Sequence, residues 1–219
     1  MEPEDGAKSF GRKELMDLYV PVKELIESRL EEFRQIWETA SEDALFRELV
    51  FCLLTPQSRA KTCWTAVQRL NRKGLISDGE ACRIQEELVG VRFNQRKAEY
   101  ICLARDMFFQ RSLRSTLSGF DNPQAAREWL VKNVKGLGYK EASHFLRNIG
   151  MGQELAILDR HILKNLVILG VIKENPSSLT KKIYLEIEVK MTKFSEQAGI
   201  PMDHLDLLLW YKEAGEVFK

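Results

Sequence analysis

Apolar residues recur every three or four positions along almost the whole chain, and no convincing stretch alternates in the manner of a strand. In KELMDLYVPVKELIESRLEEF, Leu15, Leu18 and Tyr19, then Val22, Leu25 and Ile26, fall on one helical stripe. Pro21 is the place in it for a kink or a break. SEDALFRELVFCLL opens on Ser41, a residue suited to cap a helix. QSRAKTCWTAVQRL follows, GLISDG interrupts, and NQRKAEYICLARDMFF resumes the helical spacing. NPQAAREWLVKNV carries Pro123 near its first turn. Further helices are expected over 139–149, from near Asp159, and over 202–213. About ten helices with short connections make an all-α protein.

The 219 residues are 44% hydrophobic and 30% charged, which suits one large domain or two small ones with a real core. Apolar runs such as LVFCLL are far too short to span a bilayer. The opening MEPEDGAKSF is acidic and polar, unlike a signal peptide. A cytoplasmic chain without a membrane partner is the expectation. Cys52, Cys63, Cys82 and Cys102 lie 11, 19 and 20 residues apart, with no CxxC pair. They are therefore expected to be buried thiols, not metal or iron–sulfur ligands. Residues 1–48 hold 13 acidic and 7 basic side chains, a net of −6, so the remainder carries +7. From Thr55 to Ser77 come Arg59, Lys61, Arg69, Arg72 and Lys73 with no acid among them. Such a face can track phosphates, or simply be solvated.

NVKGLGYKEASHFLRNIG, Asn133 to Gly150, breaks the helical uniformity. Gly136 and Gly138 bracket Leu137 between two helices and can take positive φ. Without a Cβ at either position, N–H groups opening the next helix stay bare, and the helix dipole makes them an anion site. A DNA phosphate would fit it; an ordinary helix–helix turn would read the same. Lys140 lies in the first turn of that helix. The dipole and nearby Lys135 disfavour a cation there, and a neutral amine is a nucleophile able to form a Schiff base. The other reading is a plain phosphate or solvent contact. Asp159 follows 19 residues later in AILDRHILKNL. It suits an N-cap, and beside a nucleophilic lysine it would also stabilise cationic sugar character or handle protons.

GLGYKEA, with lysine at its exit and an aspartate 19 residues on in an apolar-D-x-H setting, resembles the helix-hairpin-helix DNA glycosylases. LLTPQSRA, Leu53 to Ala60, is similar to the segment of that superfamily whose glutamine enters the gap left by a flipped base. The resemblance implies Lys140 as nucleophile, Asp159 as catalytic carboxylate, Gln57 as the plug in the base stack, and His161 on a phosphate. It further implies a cation, monovalent or divalent, on the hairpin carbonyls of Lys132, Val134 and Leu137. Endonuclease III and the adenine glycosylases carry a four-cysteine cluster loop after the aspartate, and here no cysteine follows Cys102. Adenine glycosylases also lack the lysine, so Lys140 implies a bifunctional glycosylase/lyase.

MDHLDLLLWYKEAGEVFK and VRFNQRKAEYI are similar to segments of the type-2 8-oxoguanine DNA glycosylases of archaea and thermophilic bacteria. That resemblance implies Phe93 and Trp210 as the two faces of a base sandwich and Lys219 as part of the pocket. Both aromatics suit stacking on a flipped purine, and both would equally suit a core. 8-Oxoguanine carries a hydrogen on N7 where guanine has none. A pocket that selects it needs an acceptor there, for which Asp206 and the terminal carboxylate of Lys219 are candidates.

The implied architecture is two helical subdomains, 40–152 and 1–39 with 153–219, around a cleft. The implied enzyme is a monomer without redox or organic cofactor that removes 8-oxoguanine from duplex DNA and nicks the strand. The alternatives are a glycosylase/lyase for another oxidised base and a non-catalytic helix-hairpin-helix DNA-binding module.

Overall fold

A computed structural model describes residues 11–219; the acidic opening, residues 1–10, lies outside them. Twelve helices and no strand occur among the described residues. They are α1 (Arg12–Thr39), α2 (Glu42–Leu54), α3 (Ala60–Arg72), α4 (Leu75–Asp78), α5 (Ala81–Glu87) and α6 (Asn94–Gln110). Then come α7 (Leu113–Leu117), α8 (Pro123–Asn133), α9 (Tyr139–Asn148), α10 (Arg160–Ile168), α11 (Lys181–Ala198) and α12 (Met202–Ala214). None of them is long and apolar enough to cross a membrane.

The all-α expectation holds, with local differences. Helix α1 runs unbroken through Pro21. That residue is exposed, and the buried stripe of Leu15, Tyr19, Val22, Ile26, Leu30 and Phe33 continues on both sides of it. Burial of that stripe outweighs one missing backbone hydrogen bond. Leu25, placed on the stripe by its spacing, is instead 50% exposed. The GLISDG interruption folds into the single turn α4, closed off by Gly74 and Gly79. Helix α11 was not expected, because its buried face mixes Tyr184, Ile187 and Met191 with Glu188 and Ser195.

The chain divides into two compact units. One comprises residues 11–29 with Leu158–Phe218, the other Leu30–Ile157 with Lys219. The expected boundaries at 39/40 and 152/153 are displaced, because the continuous helix α1 carries the first division within itself. In the Leu30–Ile157 unit, α2 is the central element and packs on α3, α6, α7 and α9, while α8 packs on α9. Eight residues of α2 are buried, Glu48 among them. In the other unit α12 packs on α10 and α11.

All four cysteines are free. Cys52 and Cys63 are buried as expected, and burial pushes both thiols up, Cys63 to about 11. Cys82 departs from expectation and is exposed, since it lies in the first turn of the short α5, whose one buried side chain is Ile84.

Candidate active site

The hairpin joins α8 to α9. Gly136 has φ +98°, and the Tyr100 ring of α6 lies so close that a Cβ would collide with it. Here the glycine is required both by backbone conformation and by space. Gly138 differs from the expected positive φ. Its φ is −95°, the extended backbone of an N-cap, which any residue adopts. Its N–H is not bare either, because the Glu141 carboxylate folds back and accepts it at 3.3 Å. Tyr139 and Lys140 are the first two residues of α9 beyond this cap. Behind the turn, buried Arg127 of α8 donates to Ser143 Oγ (3.2 Å) and lies 5.3 Å from the Tyr139 ring centre. The Tyr139 hydroxyl donates to Glu128 at 2.6 Å. These contacts fix α8 against α9 and thereby the entry to Lys140.

Lys140 projects from the first turn of α9, half-buried. Its Nζ lies 3.4 Å from Thr55 Oγ1 and 3.9 Å from Glu141 Oε1. The charge beside it is thus an attractive carboxylate, whereas Lys135 is occupied over the Tyr100 ring, 5.9 Å from its centre. Thr55 starts the loop after α2 that carries Gln57. Gln57 is exposed and left-handed, φ 53°, an uncommon conformation for a residue with a Cβ. Lys97 of α6 is buried beneath this loop, and its Nζ donates to Leu54 O (2.7 Å), Pro56 O (2.7 Å) and Ser58 Oγ (3.1 Å). Burial pulls the Lys97 ammonium down to about 8. Phe93, just before α6, is also left-handed at φ 57° and 52% exposed, with the Arg92 guanidinium 5.6 Å from its ring centre. Its ring is therefore no core aromatic.

Lys219 reaches the same unit. Its ammonium pairs with the buried Glu48 carboxylate of α2 and stands 3.6 Å from the Trp64 ring centre. Asn148 Nδ2 donates to the other oxygen of Glu48 at 3.2 Å. His144 is buried edge-on to Phe51, ring centres 5.5 Å apart. Burial, then the Lys140 and Arg147 charges, hold it well below the usual imidazole range, with the Lys219 backbone acting the other way. A neutral imidazole is the form that this cationic surrounding accepts.

Asp159 belongs to the other unit, where it caps α10. Its Oδ1 accepts from the N–H groups of His161 and Ile162, both at 2.8 Å. His161 lies edge-on to Trp210 of α12, ring centres 5.3 Å apart, with Nδ1 3.6 Å from Glu213 Oε2. Glu213 also accepts from Lys164 (2.9 Å) and from Asn165 Nδ2 (3.0 Å). Burial opposes its charge, but those hydrogen bonds and the Lys164 and Lys212 charges prevail and hold it at about 2. Trp210 is half-buried, and its indole nitrogen has no hydrogen-bond partner among the described residues. Asp206, one turn earlier on α12, is buried.

Within one unit the structure thus gathers Lys140, the Gln57 loop, Phe93, the hairpin glycines and Lys219. Within the other it gathers Asp159, His161, Trp210 and Asp206. Sequence reasoning missed Glu48, Lys97 and Glu213. The first two had a signal, a charged residue set on an apolar helical stripe: Glu48 between Leu45 and Cys52, Lys97 before Ile101 and Ala104. Among the described residues no group of three or more His, Cys, Asp or Glu side chains gathers as a metal site.

A family model described as 8-oxoguanine DNA glycosylase matches residues 26–200. An 8-oxoguanine DNA glycosylase/AP lyase of Fusobacterium nucleatum is 48% identical over 209 residues, covering 94% of this chain and 96% of its own. One from Korarchaeum cryptofilum is 43% identical over 204 residues, covering 90% and 92%. Among solved structures, the 8-oxoguanine DNA glycosylase of Thermotoga maritima matches with a TM-score of 0.83 at 38% identity, covering 95% of this chain and 98% of that one. The Methanocaldococcus jannaschii 8-oxoguanine glycosylase/lyase, solved with a 15mer DNA containing 8-oxoguanine, matches at 0.87 and 36% identity, covering 95% and 99%. A hairpin that ends in Lys140, an aspartate that caps α10, and these matches over nearly the full length together mean that the chain belongs to the 8-oxoguanine DNA glycosylase family.

Proposed function

We infer that this chain is a bifunctional DNA glycosylase/AP lyase that excises 8-oxoguanine from duplex DNA. The observation that carries the chemistry is the half-buried Lys140 amine in the first turn of α9, at the exit of the Gly136 turn. The neutral amine attacks C1′ of the deoxyribose, and the C1′–N9 bond breaks with its electron pair leaving on the base. The two amine protons pass to N9 of the departing base and to O4′ as the sugar ring opens, which leaves an imine at C1′. Removal of a C2′ proton then expels the 3′ oxygen, which nicks the strand. Asp159 supports positive charge developing on the sugar.

Phe93 and Trp210 each offer an aromatic face to the extruded base, and Gln57 fills the space it leaves. The Lys219 carboxylate and Asp206 are the candidate acceptors for the N7 hydrogen. Lys219 is favoured, because its side chain is fixed on Glu48 and Trp64. First-turn N–H groups of α9 and the imidazole of His161 contact phosphates. The carbonyls of Lys132, Val134 and Leu137 remain the candidate seat of a cation. Val134 O already accepts the Leu137 N–H at 3.2 Å, so one lone pair is left there. Such an ion would strengthen a phosphate contact and take no part in bond making. The protein acts as a cytoplasmic monomer.

The test is borohydride trapping on duplexes containing 8-oxoguanine, an oxidised pyrimidine, or no damage. A covalent adduct is expected on the 8-oxoguanine duplex, and Lys140→Gln should lower it by about 10³-fold or more. An adduct mainly on the oxidised pyrimidine would overturn the substrate. Tight binding with no adduct on any duplex would leave a non-catalytic module.

A further inference from the structure

Among the described residues other than glycine, only Gln57 and Phe93 have positive φ. They are also the two side chains assigned above to the emptied stack and to one face of the base. Such backbones are costly and persist only where the surroundings over-determine them. One residue contacts the surroundings of both. The Lys97 ammonium has three donors and meets three acceptors, Leu54 O, Pro56 O and Ser58 Oγ. Leu54 closes α2, where carbonyls lack helical donors and a cation is favoured. Pro56 and Ser58 flank Gln57. The backbone N–H of Lys97 then donates to Phe93 O at 3.0 Å, and Ser58 Oγ accepts the Arg92 N–H at 3.0 Å. Lys97, Ser58, Arg92 and Phe93 thus close a ring of contacts, with Gln57 held on one side and the Phe93 ring on the other.

We propose that Lys97 is a positioning residue for excision, holding Gln57 and Phe93 together in the strained backbone that aims one into the base stack and the other at the extruded base. The inference rests on the roles given to those two residues above. A phosphate contact does not explain Lys97, which is 4% exposed and has all its donors used. Capping α2 explains only the bond to Leu54. The bridge through Ser58 to Arg92 lies beyond that helix and reaches the Phe93 turn.

The experiment uses Lys97→Met and Ser58→Ala in the full chain. Ser58→Ala is the milder change and decides the matter should Lys97→Met fail to fold. Each is measured for single-turnover excision of 8-oxoguanine and for borohydride trapping at a pre-formed abasic site, which has no base to stack. Both are repeated in a Gln57→Ala, Phe93→Ala background. Excision should slow by about tenfold in Ser58→Ala and about a hundredfold in Lys97→Met, with a smaller loss in trapping. In the doubly substituted background Ser58→Ala should add less than about twofold, because what it positions is gone. Equal losses in excision and trapping, or the full loss of excision in that background, would reduce Lys97 to a prop for α2. Full excision by the Gln57→Ala, Phe93→Ala protein itself would overturn the roles of those residues, and this inference with them.

Discussion

Asp159 uses one carboxylate oxygen to start a helix, since both N–H groups converge on Oδ1. Cap and chemistry can therefore be separated at this residue. Asparagine caps as well as aspartate, so Asp159→Asn should melt close to the parent while excision collapses. Asp159→Ala should lose the same activity and also about 1 kcal/mol of stability, read from denaturant unfolding. Near-parental turnover in the asparagine variant would leave Asp159 as a cap alone. Glu213 gives the pH prediction. Its folded carboxyl, at about 2, lies below the ordinary 4.5, so its contribution is fully present above 4.5 and is lost as pH falls toward 2. The melting temperature of the parent should fall more steeply over that interval than that of Glu213→Gln. Parallel curves would mean that the Lys164 and Asn165 contacts contribute nothing in solution.

The hairpin shows which glycine its element depends on. Gly136→Ala would force a Cβ into left-handed backbone and into the Tyr100 ring, at a cost of a few kcal/mol, about 1–3 from the backbone alone. Duplex affinity and stability should both drop, as read by titration and by melting. Gly138→Ala, in extended backbone with only the far end of the Glu141 side chain nearby, should cost much less. Equal effects would point to a shared need for flexibility instead. The sequence motif treats the two glycines alike, because spacing shows that a Cβ is missing but not why. Helix α9 illustrates the same boundary. Its seven consecutive buried residues, Ala142 to Asn148, include Ser143, His144, Arg147 and Asn148. Helical periodicity locates such an element and cannot tell that its polar face is covered as well. Partners distant in sequence, such as Arg127 for Ser143 and Glu48 for Asn148, make that burial tolerable.

For the whole molecule, the all-α class was legible because it depends on local period, and so were the place of Lys140 in the first turn of α9 and the capping of α10 by Asp159, which depend on short spacing. The division into units was less so, since α1 passes through Pro21 and carries the boundary within it. The pairing of Lys219 with Glu48 joins residues 171 apart, and no local pattern announces it. It is also where stability and substrate choice should meet. Glu48→Gln would take its carboxylate from the largely covered Lys219 ammonium, at a cost of up to about 3 kcal/mol. Adding Lys219→Met should recover much of that stability while the preference for 8-oxoguanine over guanine stays lost, as measured by paired melts and competitive excision. Retained preference in that double variant would mean that the pairing with Glu48 does not position the terminal carboxylate for substrate choice. The cysteines have a practical consequence. Cys52 and Cys63 are sealed in the core and Cys102 is half-covered, whereas Cys82 stands in solvent on α5, which packs against α6. A thiol-reactive dye would find Cys82 first. The native chain thus offers its own attachment point for a fluorophore, beside the helix that carries Lys97, from which arrival and departure of a duplex can be followed without engineering a single residue.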